Sequence, residues 1–140
     1  MPHRISVLLV DDSSAFLRIA ERFLEESPEV RVAGAALGGL QALPLARDLQ
    51  PDAIIVDLQM PDLNGLDLIP QLRSVLPEAR IIALTFHDDR YHRAAALRAG
   101  AHDFVAKANM GNDLLPALRK IAKSEATLDS NALIERKGRE

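Results

Sequence analysis

The chain predicts a doubly wound α/β domain: a five-stranded parallel sheet in the order 2-1-3-4-5, with five helices covering its two faces. Three observations carry this. Short apolar runs alternate with helical patterns along the whole chain, as in units that return each strand parallel to the last. The runs ISVLLV, AIIV and RIIAL are almost continuously apolar, which suits strands buried on both faces. The run VRVAGAA is half polar, which suits an edge. With right-handed crossovers, a polar second strand favours the order given.

Residues 5–10 form the first strand. DDSS follows, then Phe16, Ile19, Ala20, Phe23 and Leu24 at helical spacing. Ser13 is the candidate N-cap and Pro28 closes the helix. Residues 30–36 form the second strand, Gly38-Gly39 turn the chain, and a helix over 40–49 stops at Pro51. AIIV at 53–56 is the third strand and ends at Asp57. A loop with Met60-Pro61 and Gly65, read as turn punctuation, leads to a helix over 66–75 that Pro77 stops. The fourth strand covers 80–84, and an alanine-rich helix over 89–99 ends at Gly100. Residues 103–107 make a short fifth strand, and 113–123 a last helix with Leu114, Leu118, Ile121 and Ala122 on one stripe. Pro44 and Pro70 fall inside helical patterns and each removes one helical hydrogen bond, whereas Pro116 is expected in a first turn. Residues 1–123 are read as one domain and 124–140, mixed in charge and weakly periodic, as a tail or linker stub.

Composition narrows the function. A chain of 140 residues with 48% hydrophobic and 26% charged residues is a single domain of ordinary size and not a disordered one. No cysteine is present, which excludes a disulfide scaffold, a cysteine nucleophile and a thiolate metal site. Seventeen basic residues against twenty acidic ones leave a net charge of −3. That is not the footprint of a nucleic-acid binder. No apolar run approaches the ~20 residues of a membrane span, and the N-terminus lacks a signal-peptide pattern. The expectation is a cytoplasmic protein whose chain itself contacts neither nucleic acid nor membrane.

In such a sheet, ligands bind outside the carboxyl ends of the strands where the winding reverses. The residues at those ends are Asp11-Asp12, Asp57, Thr85 and Lys107. Clustered carboxylates repel, so either one of them has a raised pKa or a cation sits among them. With oxygen ligands only, Mg²⁺ is the expected ion. It would let an anionic phosphoryl group approach, with Lys107 as a second positive charge and Thr85 as a donor. Asp57 is then a candidate nucleophile toward phosphorus.

The strings LLVDDSSAFLR, IIVDLQMPDLNGLDLI, IIALTFHDD and GAHDFVAKA together resemble the receiver domain of two-component response regulators, over about residues 5–123. The resemblance implies a flavodoxin-like fold and a phospho-accepting switch. It implies that Asp57 takes a phosphoryl group from a phosphohistidine of a sensor histidine kinase or phosphotransfer protein. Asp12 corresponds to the direct Mg²⁺ ligand, Asp11 to its neighbour acting through water, and the Gln59 backbone carbonyl to a further ligand. Thr85 corresponds to the switch hydroxyl, Lys107 to the lysine that pairs with the phosphoryl group, and Phe104 to the aromatic that turns inward when the threonine moves. Gln59 and His87 occupy positions that tune phosphoryl lifetime. The face over 89–123 is expected to change shape and bind a partner or a second copy. Receivers that precede a helix-turn-helix output domain in transcription regulators are the most similar. Two positions depart from the pattern. Phe86 stands where a small residue is frequent, so its ring is expected to restrict access. Ala108 stands where a cis proline is common, so a trans and freer Lys107 loop is expected.

Blander readings exist for each residue. Asp11-Asp12 suit a helix cap, as does Thr85; Lys107 suits an exposed strand end; Phe104 suits plain core. Tyr91 and Leu97 are by default ordinary surface. His87 and His92, five apart, do not share a helix face, which disfavours a histidine metal site. Three other functions compete. An aspartyl-phosphate phosphatase on a similar fold needs a general acid where Gln59 stands. A nucleotide or flavin carrier needs a phosphate loop where DDSS stands. A receiver that binds partners without phosphorylation does not need the complete Asp/Thr/Lys set. Beyond its own phosphorylation and dephosphorylation, no enzymatic activity is expected.

Overall fold

Branched apolar residues dominate the strands, and helices carry the chain back between them. In the computed structural model, residues 4–121 are described; His3, the expected helix end at 122–123 and the expected tail at 124–140 lie outside them. The elements are β1 (Ile5–Asp11), α1 (Ser14–Glu25), β2 (Val30–Leu37), α2 (Gly39–Leu49), β3 (Ala53–Val56), α3 (Gly65–Val75), β4 (Arg80–Thr85), α4 (Arg90–Ala99) and β5 (Asp103–Ala106). A 3₁₀ turn over Lys107–Asn109 leads into α5, helical over 110–121. The sheet order is β2-β1-β3-β4-β5 and every pairing is parallel. The half-polar run is the edge strand, as expected, and a register shift bends it against β1 between Val7 and Leu8.

Alternate residues of each central strand point to opposite layers. Leu8, Val10, Ile54, Val56, Ile81 and Ala83 face α2, α3 and α4. Val7, Leu9, Ile55, Ile82, Leu84 and Val105 face α1 and α5 through Leu17, Leu24, Leu114 and Leu118. With both faces covered among the described residues, a polar ligand meets the sheet at its strand ends.

Local signals set the helix starts. Ser13 caps α1, its Oγ accepting the Phe16 N–H at 3.2 Å. Asp89 caps α4, accepting the His92 N–H at 2.8 Å, so Thr85 is not that cap. Pro44 and Pro70 lie inside α2 and α3. The last helix begins three residues earlier than its apolar stripe predicts, because the 3₁₀ turn runs straight into it. Pro116 therefore lies in its interior, not in its first turn.

Candidate functional site

The carboxyl ends of β1 and β3 lie side by side, in register from Val7↔Ala53 to Val10↔Val56. One step further along each strand stand Asp11 and Asp57, which are 2% and 5% exposed. Asp12 follows on the exposed side. Carboxylate oxygens of Asp11, Asp12 and Asp57 all lie within 4.8 Å of one another.

Lys107 reaches this cluster from the end of β5. Its Nζ is 2.6 Å from Asp11 Oδ2 and 3.4 Å from Asp57 Oδ2, and its side chain is 5% exposed. The exposed strand-end reading is thereby excluded. The ammonium also lies 4.1 Å from the Phe16 ring centroid and 5.1 Å from that of Phe86, within cation–π range. Phe86 is itself 70% exposed and stands beside the lysine at the pocket mouth. The trans bond expected at Ala108 is present. Among the described residues no peptide bond is cis, and Lys107–Asn109 closes as a 3₁₀ turn.

Burial is the main force on Asp57 and pushes its pKa up; Lys107 opposes this and Asp11 adds to it. The Gln59 N–H donates to Asp57 Oδ1 at 3.2 Å and also favours the charged form. Asp11 Oδ1 accepts the Ser13 N–H at 2.9 Å, so one carboxylate oxygen steadies the turn into α1 and the other holds Lys107. Thr85 is fully buried, its hydroxyl accepting the His87 N–H at 3.2 Å. Phe104 is buried at 5% exposure, and the Arg93 guanidinium sits 4.5 Å over its ring.

The donor set fits a hard cation. All three groups offer oxygen, and two ligand oxygens on opposite sides of a Mg²⁺ ion are about 4 Å apart, close to the observed spread. A single lysine faces the buried pair Asp11 and Asp57, so room remains for more positive charge. Chemically the pocket can hold a divalent ion, bring an anion to it, and present the Asp57 carboxylate as nucleophile.

Several contacts have no local signature in the sequence. Gly65 is more than turn punctuation: a Cβ there would lie 2.4 Å from the Asp57 carbonyl oxygen and 2.8 Å from Leu58 Cα. The start of α3 can press against the strand end carrying Asp57 only because this residue is glycine. Asp62 accepts the Gly39, Leu40 and Leu63 N–H groups at 3.1, 3.0 and 2.8 Å, so the cap of α2 comes from the β3–α3 loop. Those bonds hold its pKa low. His87 and His92 do meet, their rings stacked with centroids 4.9 Å apart. They do not share a helix face, since His87 precedes α4 and reaches His92 from the loop. The metal-ligating group found among the described residues is the aspartate trio, without histidine.

Fold and site together define a doubly wound α/β domain with an acidic pocket and a lysine at the carboxyl edge of its sheet. A family profile for the response regulator receiver domain matches residues 7–119, and the chain belongs to that family. The nitrate/nitrite response regulator protein NarL of Escherichia coli K12 is 32% identical over 123 residues, covering 88% of this chain and 57% of that protein. A protein-glutamate methylesterase/protein-glutamine glutaminase of Alkalilimnicola ehrlichii is 34% identical over 122 residues, covering 84% of this chain and 31% of that protein. The solved signal receiver domain of the putative response regulator NarL from Mycobacterium tuberculosis superposes with a TM-score of 0.80 at 31% identity, covering 87% of this chain and 98% of that one. The chain thus spans about half or less of the length of these curated relatives. No helix among the described residues is long and apolar enough to cross a membrane.

Proposed function

We propose that this receiver is a phospho-accepting switch that takes a phosphoryl group onto Asp57 from a phosphohistidine of a sensor histidine kinase or phosphotransfer protein. The observation that carries the reading is the gathering of Asp11, Asp12 and Asp57 within 4.8 Å, with Lys107 against two of them. An Asp57 oxygen attacks phosphorus, the P–N bond to the donor imidazole breaks, and that nitrogen keeps the electron pair and takes a proton. The product is an acyl phosphate carrying about −1.5 to −2 charges. A Mg²⁺ held by Asp12, Asp57, the Gln59 carbonyl and, through water, Asp11 would supply charge neutralisation for the incoming group. Lys107 already lies 3.4 Å from Asp57 and pairs with the new oxygens.

Thr85 gives up the His87 N–H and turns its hydroxyl to the phosphoryl group. Phe104 moves into the space it leaves, and the 89–123 face changes shape for a partner or a second copy. The phosphoryl group shifts the population only by its differential affinity for the two arrangements. Gln59 and His87 flank the reacting centre and tune lifetime by controlling water. We take 1–123 as the receiver, 124–140 as a tail or linker, and the cytoplasm as its site of action. Similarity to the NarL regulators favours a helix-turn-helix output in transcription control. A phosphatase reading is weaker, because Gln59 cannot transfer the proton that chemistry requires.

The test is intact-mass measurement after incubation with a small phosphodonor and Mg²⁺. One added phosphoryl group is expected, and none on Asp57→Asn. No gain in the parent protein, or an unchanged gain in the variant, would overturn the reading.

A further inference from the structure

The aromatic ring at Phe104 is not free to choose its position on its own. Arg93, on α4, lays its guanidinium 4.5 Å over the ring centroid. The same guanidinium is anchored by Asp88, with Nη2 2.8 Å from Oδ1. Asp88 belongs to the loop that leaves β4 at Thr85, and two hydrogen bonds tie it back along that loop. The Asp88 N–H donates to the Phe86 carbonyl at 3.1 Å, and the His87 N–H donates to the Thr85 hydroxyl at 3.2 Å. A continuous chain of contacts therefore runs from the Thr85 hydroxyl through the loop and Asp88 to Arg93 and the Phe104 ring.

We infer that Arg93 is a positioning residue: anchored by Asp88, its guanidinium clasps the Phe104 ring in its buried place and ties that place to the β4–α4 loop. The significance of the clasp for signalling rests on the function proposed above; its existence does not. For the ring to leave, it must give up the guanidinium face that Asp88 holds over it. For the loop to move with Thr85, Asp88 must carry Arg93 along or release it. The clasp thus gives the loop a mechanical hold on a side chain of the α4–β5 face that it does not itself touch through Thr85 alone.

The test uses the absence of tryptophan from the sequence. Phe104→Trp introduces a single reporter and keeps an aromatic face for the guanidinium, tryptophan being the best cation–π partner. Acrylamide quenching is read on the unphosphorylated full chain. Arg93→Ala in this background should raise the quenching constant about threefold, as loss of one cation–π contact implies. Asp88→Asn should raise it less, and Arg93→Lys should retain part of the protection. Phe23→Trp, on the opposite layer with α1, is the control and should not respond to Arg93→Ala. An unchanged constant at position 104, or equal rises at 104 and 23, would overturn the clasp. A response to Arg93→Ala with none to Asp88→Asn would overturn the anchor.

Should Phe104→Trp fail to fold, fluorophenylalanine incorporation labels the four native phenylalanines for ¹⁹F NMR. Arg93→Ala should then shift the Phe104 resonance, assigned by its loss in Phe104→Leu, and leave that of Phe23 in place; no shift overturns the proposal. Phosphoryl uptake by intact mass is measured in parallel. Absence of uptake in the parent strikes the proposed function and leaves the clasp standing, since the clasp is read without phosphorylation.

Discussion

Strand β3 has an aspartate just outside each end, and the two have opposite lives. Asp52, before the strand, fastens it to β1: its Oδ2 accepts the Ser6 N–H at 2.9 Å and the Ser6 hydroxyl at 3.1 Å. Its own N–H donates back to Ser6 Oγ at 2.9 Å. Asp57, after the strand, meets a second buried acid, and burial raises its pKa. The same residue type on the same strand is a fastener at one end and an unbalanced charge at the other. A carboxylate that accepts several hydrogen bonds ties two strand ends together. One left facing another carboxylate waits for a cation or an electrophile.

Asparagine substitutions at the two ends should shift stability in opposite directions. Asp57→Asn removes a buried charge and should raise the metal-free melting temperature by a few degrees, about 1 kcal/mol for a domain of this size. Asp52→Asn weakens charge-assisted hydrogen bonds and should lower stability by about 1–2 kcal/mol in urea titrations. Equal signs for the two would erase the comparison. Removing the cation is larger still. Lys107→Ala leaves Asp11 and Asp57 buried without their ammonium and should cost about 3–5 kcal/mol, measured by the urea midpoint without metal.

Gly65→Ala probes the support of the Asp57 end. The added methyl meets backbone at 2.4 Å, so either α3 or the strand end must shift. An overpacking cost of about 1–3 kcal/mol is expected, read from thermal melts.

A further, pH-dependent effect lies at the amino end of β4. His102 Nδ1 accepts the Ile81 N–H at 2.9 Å. Burial, with Arg73 and Arg80 nearby, lowers its pKa to about 4. Its folded value lies below the unfolded 6.5, so the unfolded chain takes up the proton first. Stability is fully present above pH 6.5 and is lost as pH falls from there toward 4. His102→Gln should flatten the urea midpoint over that window; an unchanged slope would assign the loss to other groups.

The same contrast explains what the sequence revealed. Strands β1, β3 and β4 are legible because burial on both faces demands unbroken apolar runs, and the acids that end those runs are conspicuous for interrupting them. Asp11, Asp57, Thr85 and Lys107 are therefore legible as residues at the carboxyl ends of β1, β3, β4 and β5. Gly65, the Asp62 cap on α2 and the Arg93 clasp were not legible. Each depends on which loop lies against which helix, and contacts across 23 residues, as from Gly39 to Asp62, leave no local pattern. The last helix starts three residues before its apolar stripe for a related reason. Residues 107–112 carry no apolar stripe, and only the geometry after Lys107 decides that they coil.

The claim that the carboxyl end of β3 holds charge awaiting a cation is tested most directly by thermal melting across a Mg²⁺ titration, in the parent, Asp12→Ala and Asp52→Asn. The parent and Asp52→Asn should climb together, gaining about 2.7 kcal/mol at a hundredfold excess over Kd, while Asp12→Ala stays flat. A parent that ignores Mg²⁺, or an Asp12→Ala that climbs with it, would contradict the account.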